Sequence, residues 1–252
     1  MLKALIRGLI AIRVAVSWSG GKESSLACYK AILDGYEVSY LLNFTSYNGR
    51  CMFHGLNSAL MTAQSRAIKI PIIQWRTSWS TYEREFKNAL RKLRGIGVKG
   101  VVFGDIHEIP GHEGWVDRIC NQLGMDPIKP LWGCDPMHVL LDFINEGFEA
   151  TVVMVKAGLP TEEWLGRRVD KIFMLNLMRF RGKIDPCGEL GEYHTYVTDG
   201  PIFKRRIRIL ECERVLKNGC WYLNIKRYKL DNKRRQLEDE ENLRCDPSLQ
   251  RV

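Results

Sequence analysis

The chain has 252 residues, of which 45% are hydrophobic and 27% are charged, and its formal net charge is +9. This composition excludes a disordered or collagen-like chain, and no apolar stretch reaches the roughly 18–20 residues needed to cross a bilayer. We therefore expect a folded soluble protein without a membrane segment, built as one large domain or two modest ones.

The first half of the chain alternates short apolar runs with helical patterns. The apolar runs predict strands at Arg13–Ser17, Glu37–Phe44, Ile72–Trp75 and Gly100–Gly104. The patterns between them predict helices near Ser24–Leu33, Leu56–Lys69 and Tyr82–Arg94. This alternation predicts a parallel sheet with right-handed crossovers, and a ligand on such a sheet lies beyond the carboxyl ends of the strands.

A second unit is predicted to begin after residues 130–133. Asp135-Pro136 starts a helix that runs to about Glu146, Thr151–Val155 forms a strand, and Thr161 opens a further helix. Arg206–Val215 and Trp221–Lys229 are predicted to pair as a hairpin around Asn218-Gly219, a strong type I′ turn signal. We therefore divide the chain into domains at 12–133 and 134–230, followed by a charged, mobile tail at 231–252.

The segment Ser19-Gly20-Gly21-Lys22-Glu23-Ser24 lies between the first predicted strand and the first helix. Two glycines permit a tight turn, and the start of the helix supplies unpaired N–H groups with a partial positive charge. Together with the Lys22 ammonium and the two serine hydroxyls, these groups predict a phosphate cradle. The spacing differs from the usual P-loop, which has a glycine five residues before its Gly-Lys-Ser/Thr unit. A glycine-rich turn without a ligand is the alternative.

A second dense segment is Gly188-Glu189-Leu190-Gly191-Glu192-Tyr193-His194-Thr195. It holds two glycines, two carboxylates and an aromatic–His–Thr series within eight residues. A loop of this kind can direct both carboxylates at one ligand. A polar turn leading into a strand is the alternative.

The first of these segments resembles the pyrophosphate loop of the N-type ATP pyrophosphatases. Combined with other motifs, it is similar to the diphthine–ammonia ligase family over about residues 13–215. The further motifs are Gly104-Asp105-Ile106-His107, Arg118, Pro130-Leu131-Trp132-Gly133, the acidic segment 188–195 and Asp199-Gly200-Pro201-Ile202-Phe203. The resemblance implies a HUP-type nucleotide-binding domain with a parallel sheet, followed by a smaller α+β domain that carries the acidic segment.

The resemblance also implies which residues contact ATP and Mg²⁺. The departing pyrophosphate is assigned to Ser19, Gly20, Gly21, Lys22 and Ser24, and further nucleotide contacts are assigned to Asn43, His54 and Gly104. Asp105 and Glu23 are candidate Mg²⁺ ligands, because this ion takes one or two protein carboxylates together with phosphate oxygens. Glu23 stands where the superfamily usually has Asp, which lengthens the carboxylate by one methylene.

Glu189 and Glu192 are implied at the substrate end, and with Lys22 they are the candidate catalytic residues. The two acids and the face of Tyr193 would recognise the trimethylammonium of diphthine. Alternatively, the acids hold ammonium and accept its proton; both roles stay open. The remaining substrate-binding candidates are Gly188, Gly191, His194, Thr195 and Arg118. His194 stands where eukaryotic members tend to have a second acid.

The reaction implied by the family is ATP-dependent amidation of diphthine on elongation factor 2, with ammonia as the nitrogen donor and AMP and pyrophosphate as products. Two alternatives stay open: an ATP pyrophosphatase that adenylates another acceptor such as a tRNA base, and a non-catalytic module that binds ATP. Residues 204–252 hold 14 Lys and Arg against 8 Asp and Glu, so a nucleic-acid partner is open, as is a solvated hairpin face.

The eight cysteines show no C-x-x-C spacing, which argues against zinc, iron–sulfur and thiol-relay sites. Scattered thiols suit a reducing compartment, so we expect a cytoplasmic protein. The segment Leu2–Ile12 looks faintly like a signal sequence, but Arg7 and Arg13 interrupt it and we expect an N-terminal extension. A homodimer is left open.

Overall fold

The structure is a computed structural model that describes residues 11–108, 111–180 and 182–233. Most of the predicted N-terminal extension and the charged tail beyond residue 233 lie outside the described residues. Two sheets organise the chain. The first has five parallel strands in the order β3-β2-β1-β4-β5, and the second has four antiparallel strands in the order β7-β6-β9-β8.

The first sheet and its crossover helices follow the predicted alternation. Its strands are β1 (Arg13–Ser17), β2 (Glu37–Thr45), β3 (Ile72–Arg76), β4 (Gly100–Val102) and β5 (Asp126–Ile128). Its helices are α1 (Lys22–Leu33), α2 (Ser58–Ile68), α3 (Tyr82–Gly95) and α4 (Trp115–Gln122). The parallel α/β sheet is thus confirmed, whereas α4 and β5 had no sequence prediction. Both are short, at eight and three residues, and leave a weak periodic signal.

The second sheet contains the strands β6 (Glu149–Lys156), β7 (Tyr193–Asp199), β8 (Arg205–Lys217) and β9 (Cys220–Asn232). Two helices belong to the same half of the chain, α5 (Pro136–Asn145) and α6 (Lys171–Met178). The predicted helix start at Asp135 is confirmed, because its side chain accepts a hydrogen bond from His138 N–H. The hairpin is also confirmed. Asn218 and Gly219 have φ of 50° and 73°, as a type I′ turn requires.

The helix predicted to open at Thr161 is wrong. A short 3₁₀ helix, Pro160–Trp164, occupies this place, and Gly166 follows with φ of +87°. The α-helix begins only at Lys171, where the Asp170 side chain accepts from Phe173 N–H at 2.8 Å. A capping carboxylate satisfies an otherwise orphaned amide at the start of the helix.

The two sheets share one hydrophobic core. Along β1, Val14 and Val16 belong to a cluster that continues into Val152 and Tyr196 of the second sheet. Ala15 points to the opposite face and joins a separate cluster with α3 and α4. Helices α1 and α2 cover this side of the parallel sheet, and the second sheet packs against them, which brings β7 beside the loop that follows β1. In the part of the chain that the structure describes, no helix has the length and apolar content needed to cross a membrane.

Candidate functional site

The phosphate loop, residues 19–24, joins the end of β1 to α1. Its two glycines are required by their surroundings. Gly20 has φ of +81°, and a Cβ there would lie 2.6 Å from both Gln64 Oε1 and Met61 Sδ. A Cβ at Gly21 would lie 2.7 Å from His54 Cε1. The backbone of the loop is thus held closer to its neighbours than any side chain would allow.

Polar groups of the phosphate loop converge at the start of α1. Ser19 Oγ and Ser24 Oγ lie 3.1 Å apart, and Ser24 Oγ also donates to Gly21 O at 3.1 Å. The Lys22 N–H donates to Thr195 Oγ1 of β7 at 3.1 Å. Gly20 O accepts from Val197 N–H at 3.0 Å. The second domain is therefore bonded directly to the loop that should hold phosphates.

The segment after β4 lies against this loop. Strand order reverses between β1 and β4, and ligands of such sheets bind at this point. A Cβ on Gly104 would lie 2.8 Å from the Glu23 carbonyl carbon and 2.9 Å from Ser24 N, so the two backbones touch. Burial raises the pKa of Asp105, while Lys129 opposes the shift. The predicted pair of Gly104 and Asp105 thus stands beside the N-terminus of α1.

A cleft of about 310 Å³ opens over the ends of β1 and β2. Its lining includes Ser19, Asn43 and His54, together with Phe53 and Tyr82. Asn43 Nδ2 donates to Trp18 O at 2.8 Å, which fixes the amide at the base of the cleft. Three predicted nucleotide contacts are thereby brought to one concave surface beside the phosphate loop.

Lys22 connects the two predicted segments. Its ammonium is buried, donates to Cys187 O at 2.6 Å and pairs with Glu23 Oε1 at 2.5 Å. It also lies 4.6 Å from the centre of the Tyr193 ring. Burial alone would lower the pKa of Lys22, but Glu23, Tyr193 and Cys187 together outweigh it and the pKa is raised. Lys22 is therefore a charged, fully engaged cation at the junction of the two domains.

The acidic loop, residues 185–192, is organised by two carboxylates. Glu192 accepts from Asp185 N–H at 3.0 Å with one oxygen and from Leu190 N–H at 3.1 Å with the other. Asp185 Oδ1 in turn accepts from the N–H groups of Cys187 and Glu189. Gly188 has φ of +70° and lies against Tyr193 O, where a Cβ would be 2.5 Å away. Glu192 thus contacts the loop backbone, and the Glu189 carboxyl lies close enough to Lys22 and Glu23 for their charges to affect its pKa.

The charges of Glu23 and Lys22 both affect the pKa of the Glu189 carboxyl group. Burial and the charge of Glu23 raise its pKa to about 8, against the opposing effect of Lys22. Asp185 and Asp105 contribute to the same rise. A carboxyl group with a pKa of about 8 is mostly neutral at pH 7. An approaching cation lowers this pKa and so favours ionisation. Glu189, Glu23 and Asp105 thus form one electrostatic group, although they come from three separate segments.

Tyr193 and His194 begin β7 next to this group. The Tyr193 ring is fully buried, and its hydroxyl donates to Pro186 O at 2.5 Å. The cation over its face is therefore Lys22, and the ring is not open to a ligand. His194 stacks on His54 with ring centres 4.4 Å apart. Burial lowers the pKa of His194 to about 4 and that of His54 well below its usual value, so both rings are neutral.

Arg118 lies elsewhere. It belongs to α4 and donates to both carboxylate oxygens of Glu83, at 3.2 and 2.9 Å. The hydrogen bonds from Arg118 and Lys87 lower the pKa of Glu83 to about 2. Among the described residues, the Arg118 guanidinium thus joins α3 to α4, and the structure does not bring it to either loop.

Gln64 is a site residue that the sequence reading missed. Its amide nitrogen donates to Gly20 O at 2.9 Å and to Val197 O at 2.8 Å, and its oxygen accepts from Trp18 Nε1 at 2.8 Å. It therefore ties β1, the phosphate loop and β7 together. A signal was present, because Leu60, Gln64 and Ile68 are spaced four residues apart on one buried helix face. A glutamine on such a face needs partners.

Known protein families and relatives match most of this chain. Residues 12–127 match the diphthamide synthase N-terminal domain, and residues 135–230 match the diphthamide synthase C-terminal domain. The human diphthine–ammonia ligase is 25% identical over 238 residues, which cover 82% of this chain and 86% of that protein. The Schizosaccharomyces pombe diphthine–ammonia ligase is 36% identical over 234 residues, or 82% of this chain but 38% of that protein.

A solved structure described as the "predicted subunit of tRNA methyltransferase" from Methanocaldococcus jannaschii aligns with a TM-score of 0.43 and 14% identity, covering 75% of this chain and 98% of that one. Likeness at that level says nothing about activity. The two domain matches, by contrast, cover both sheets and both loops of the site. The chain therefore belongs to the diphthamide synthase (diphthine–ammonia ligase) family of ATP-dependent ligases.

Proposed function

We propose that this chain amidates the carboxylate of diphthine on elongation factor 2, using ATP and ammonia. The observation that carries this proposal is the direct contact between the phosphate loop and the acidic loop, through Lys22 Nζ and Cys187 O at 2.6 Å. A site that joins a phosphate cradle to carboxylates suits a reaction in which an acid is first activated by a nucleotide and then attacked by an amine.

The chemistry has two steps. A carboxylate oxygen of diphthine attacks the α-phosphorus of ATP, the bond to the bridging oxygen breaks, and pyrophosphate leaves. Ammonia then attacks the carbonyl carbon of the acyl-adenylate, one N–H proton passes to a base, and AMP leaves with the C–O bond electrons. Because both leaving groups are anions, positioning and charge neutralisation supply most of the catalysis.

The phosphate loop is proposed to bind the departing pyrophosphate. The backbone amides of Gly20, Gly21 and Ser24 and the hydroxyls of Ser19 and Ser24 are the donors, at the positive end of α1. Lys22 supplies the positive charge of the crevice. This charge faces Glu23 and Cys187 O, so Lys22 also holds the acidic loop against the phosphate loop.

Magnesium fits this crevice by the chemistry of its donors. The described residues contain no group of three or more His, Cys, Asp or Glu that could hold a metal, but Mg²⁺ needs only one or two carboxylates when phosphates complete its shell. Asp105 and the Glu23 oxygen that faces away from Lys22 would hold it. When bound, the ion would neutralise charge on the phosphates.

Glu189 is proposed to hold ammonium and to accept its proton. Its raised pKa places ionisation close to neutral pH, which is what a general base needs. Glu192 and Tyr193 are proposed as positioning residues, because their polar atoms bond to the acidic loop. Gly188 and Gly191 would allow its tight turns, and Thr195 would anchor it to α1. Asn43, His54 and His194 are proposed to line the nucleoside cleft, and Arg118 is assigned no direct contact.

The partners of this reaction are elongation factor 2 bearing diphthine, and ammonia. We propose a cytoplasmic setting, which the free state of all seven cysteines in the described residues supports. The proposed division at 133/134 separates the phosphate loop from the acidic loop. A tRNA acceptor is less well supported than it was from composition, because hairpin cations such as Arg208 and Lys226 pair with acids of the same hairpin.

The experiment is a product analysis. The protein is incubated with ATP, Mg²⁺, ammonium and diphthine-bearing elongation factor 2, and nucleotides and the modified histidine are measured. We expect AMP, pyrophosphate and diphthamide in equal amounts. Lys22→Met should abolish all three, whereas the matched control Lys30→Met, a surface lysine of the same helix paired with Asp142, should retain them. Thermal melts of both variants separate loss of chemistry from loss of fold.

Other products would contradict the proposal. ADP and phosphate would overturn the α-phosphorus chemistry. AMP formed only when tRNA is present would favour the alternative acceptor, and ATP binding without turnover would favour the non-catalytic module.

A further inference from the structure

One face of α6 is apolar and exposed. Ile172, Leu175 and Met178 are 64%, 59% and 48% accessible and recur every three residues on one side of the helix. Phe173 and Leu177 face the other way and are buried in the shared core. Single exposed hydrophobic side chains are common on protein surfaces and need no explanation. Three large aliphatic side chains on one face of a helix do need one.

Cations surround this face. Lys171, Arg179 and Lys183 are exposed, and residues 171–184 contain no aspartate or glutamate. Within the described ranges, none of the three cations lies in a salt bridge, whereas most cations of the β8–β9 hairpin are paired. The face is thus apolar at its centre and positive at its rim.

The acidic loop follows α6 closely along the chain. Ile184 N–H donates to Phe180 O at 3.2 Å, which places Asp185 close to the end of α6. Leu190, in the acidic loop itself, is also exposed. On the buried side, the Phe173 ring lies 5.5 Å from the Tyr193 ring, which contacts Lys22. A partner seated on α6 would therefore lie next to Glu189.

We infer that Ile172, Leu175, Met178 and Leu190, with their rim of Lys171, Arg179 and Lys183, form the docking surface for the protein that carries the carboxylate to be amidated. This inference rests on the proposed function. The chemistry of the surface calls for a folded partner that presents apolar side chains surrounded by carboxylates, because such a rim is complementary in charge and apolar contacts bury the centre.

Other occupants fit less well. A second copy of the chain packed through this face would bring like charges together, which costs affinity. Single-stranded nucleic acid favours aromatic platforms on which bases stack, and the centre of this face is aliphatic. An anionic membrane would suit the cations, but the face is less than three turns long and lies beside a loop that must receive a protein-borne acid.

The test is a pair of matched variants. Leu175→Asp places a carboxylate at the centre of the face, and Leu33→Asp does the same at the end of α1, where Leu33 is 58% accessible. Binding of diphthine-bearing elongation factor 2 to the immobilised protein is measured at two salt concentrations, and ATP binding and the melting temperature are measured for each variant.

We expect Leu175→Asp to weaken the binding of elongation factor 2 at least tenfold, with Leu33→Asp unchanged and ATP binding intact in both. Lys171→Glu with Lys183→Glu should weaken it similarly and reduce its salt dependence. Unchanged affinity of Leu175→Asp would overturn the inference, even if the wild type forms diphthamide. A dimer dissolved by Leu175→Asp, or cosedimentation with phosphatidylserine vesicles that this variant abolishes, would overturn it in favour of the other occupants.

Different results would contradict the proposed reaction and the proposed docking surface. If the wild type binds elongation factor 2 through this face but forms no AMP, the docking surface stands and the proposed reaction fails. If AMP and diphthamide form but neither α6 variant changes KM for elongation factor 2, the reaction stands and the docking surface fails.

Discussion

Glu189 lies where two opposite influences meet. Burial and the carboxylate of Glu23 favour its neutral form, and the ammonium of Lys22 favours its charged form. The balance leaves a pKa of about 8. A cation that enters the crevice would add to the effect of Lys22 and promote ionisation. The same residue can therefore attract an ammonium ion and take a proton from it.

This placement predicts the pH dependence of the amidation. Below pH 8 the Glu189 carboxyl is protonated and cannot accept a proton, so kcat/KM for ammonium should rise with pH through about 8. Glu189→Gln should lower kcat/KM by about 100-fold or more and remove this rise. Dividing the wild-type profile by the variant profile, at equal ammonium, cancels the titration of ammonium in solution.

Glu192→Gln serves as the comparison, because that residue shapes the same loop through backbone N–H groups. It should lower activity without moving the inflection. If Glu189→Gln keeps the wild-type inflection, another group is the base.

At the scale of elements, the close approach of the β4–α4 segment to α1 determines where Asp105 stands. The Gly104 backbone touches the first turn of α1, and no side chain separates the two. A methyl group at this point must displace either the segment that carries Asp105 or the turn that carries Glu23 and Ser24. Overpacking of this kind costs about 1–3 kcal/mol.

We therefore expect Gly104→Ala to weaken ATP binding by about tenfold, equivalent to about 1.4 kcal/mol, through displacement of the phosphate loop. Isothermal titration calorimetry with ATP and Mg²⁺ measures this loss. Gly95→Ala is the matched control, because a Cβ there would meet nothing within 4 Å. Equal affinities for the two variants would show that the contact between Gly104 and α1 is not needed for nucleotide binding.

At the scale of the whole molecule, contacts at the candidate site join the two halves of the chain. The hydrophobic cluster on one side of β1 runs without a break into the second sheet, and Gln64 bonds to β1, the phosphate loop and β7 at once. Folding of the two halves should therefore be coupled. The crevice between the loops would then form only when both sheets are in place.

This coupling predicts a single thermal transition that depends on Gln64. Gln64→Leu would remove the side-chain partner of Val197 O and Trp18 Nε1, whereas Gly20 O would keep its bond from Val197 N–H. Each orphaned buried group costs about 1–3 kcal/mol. We expect the melting temperature to fall by roughly 5–10 °C while the transition stays single. Gln74→Leu, which removes one exposed hydrogen bond to Ser58 O, should change it little. Differential scanning calorimetry that resolves two transitions for the wild type would contradict the coupling.

The sequence by itself determined the alternating strands and helices, the hairpin at Asn218-Gly219, the glycine-rich turn and the family, because periodicity, caps, turn residues and motifs are local features of the chain. The short elements α4 and β5 and the true start of α6 gave too little local signal.

Only the tertiary structure decided how the two loops meet. Lys22 contacts Cys187, Gln64 contacts Val197, and Glu189 faces Glu23, and each pair is separated by more than a hundred residues. No local pattern encodes such contacts; they follow from the packing of the second sheet against α1 and α2. The same packing turned Tyr193 from an expected ligand platform into a buried neighbour of Lys22, and it left one face of α6 exposed beside the acidic loop.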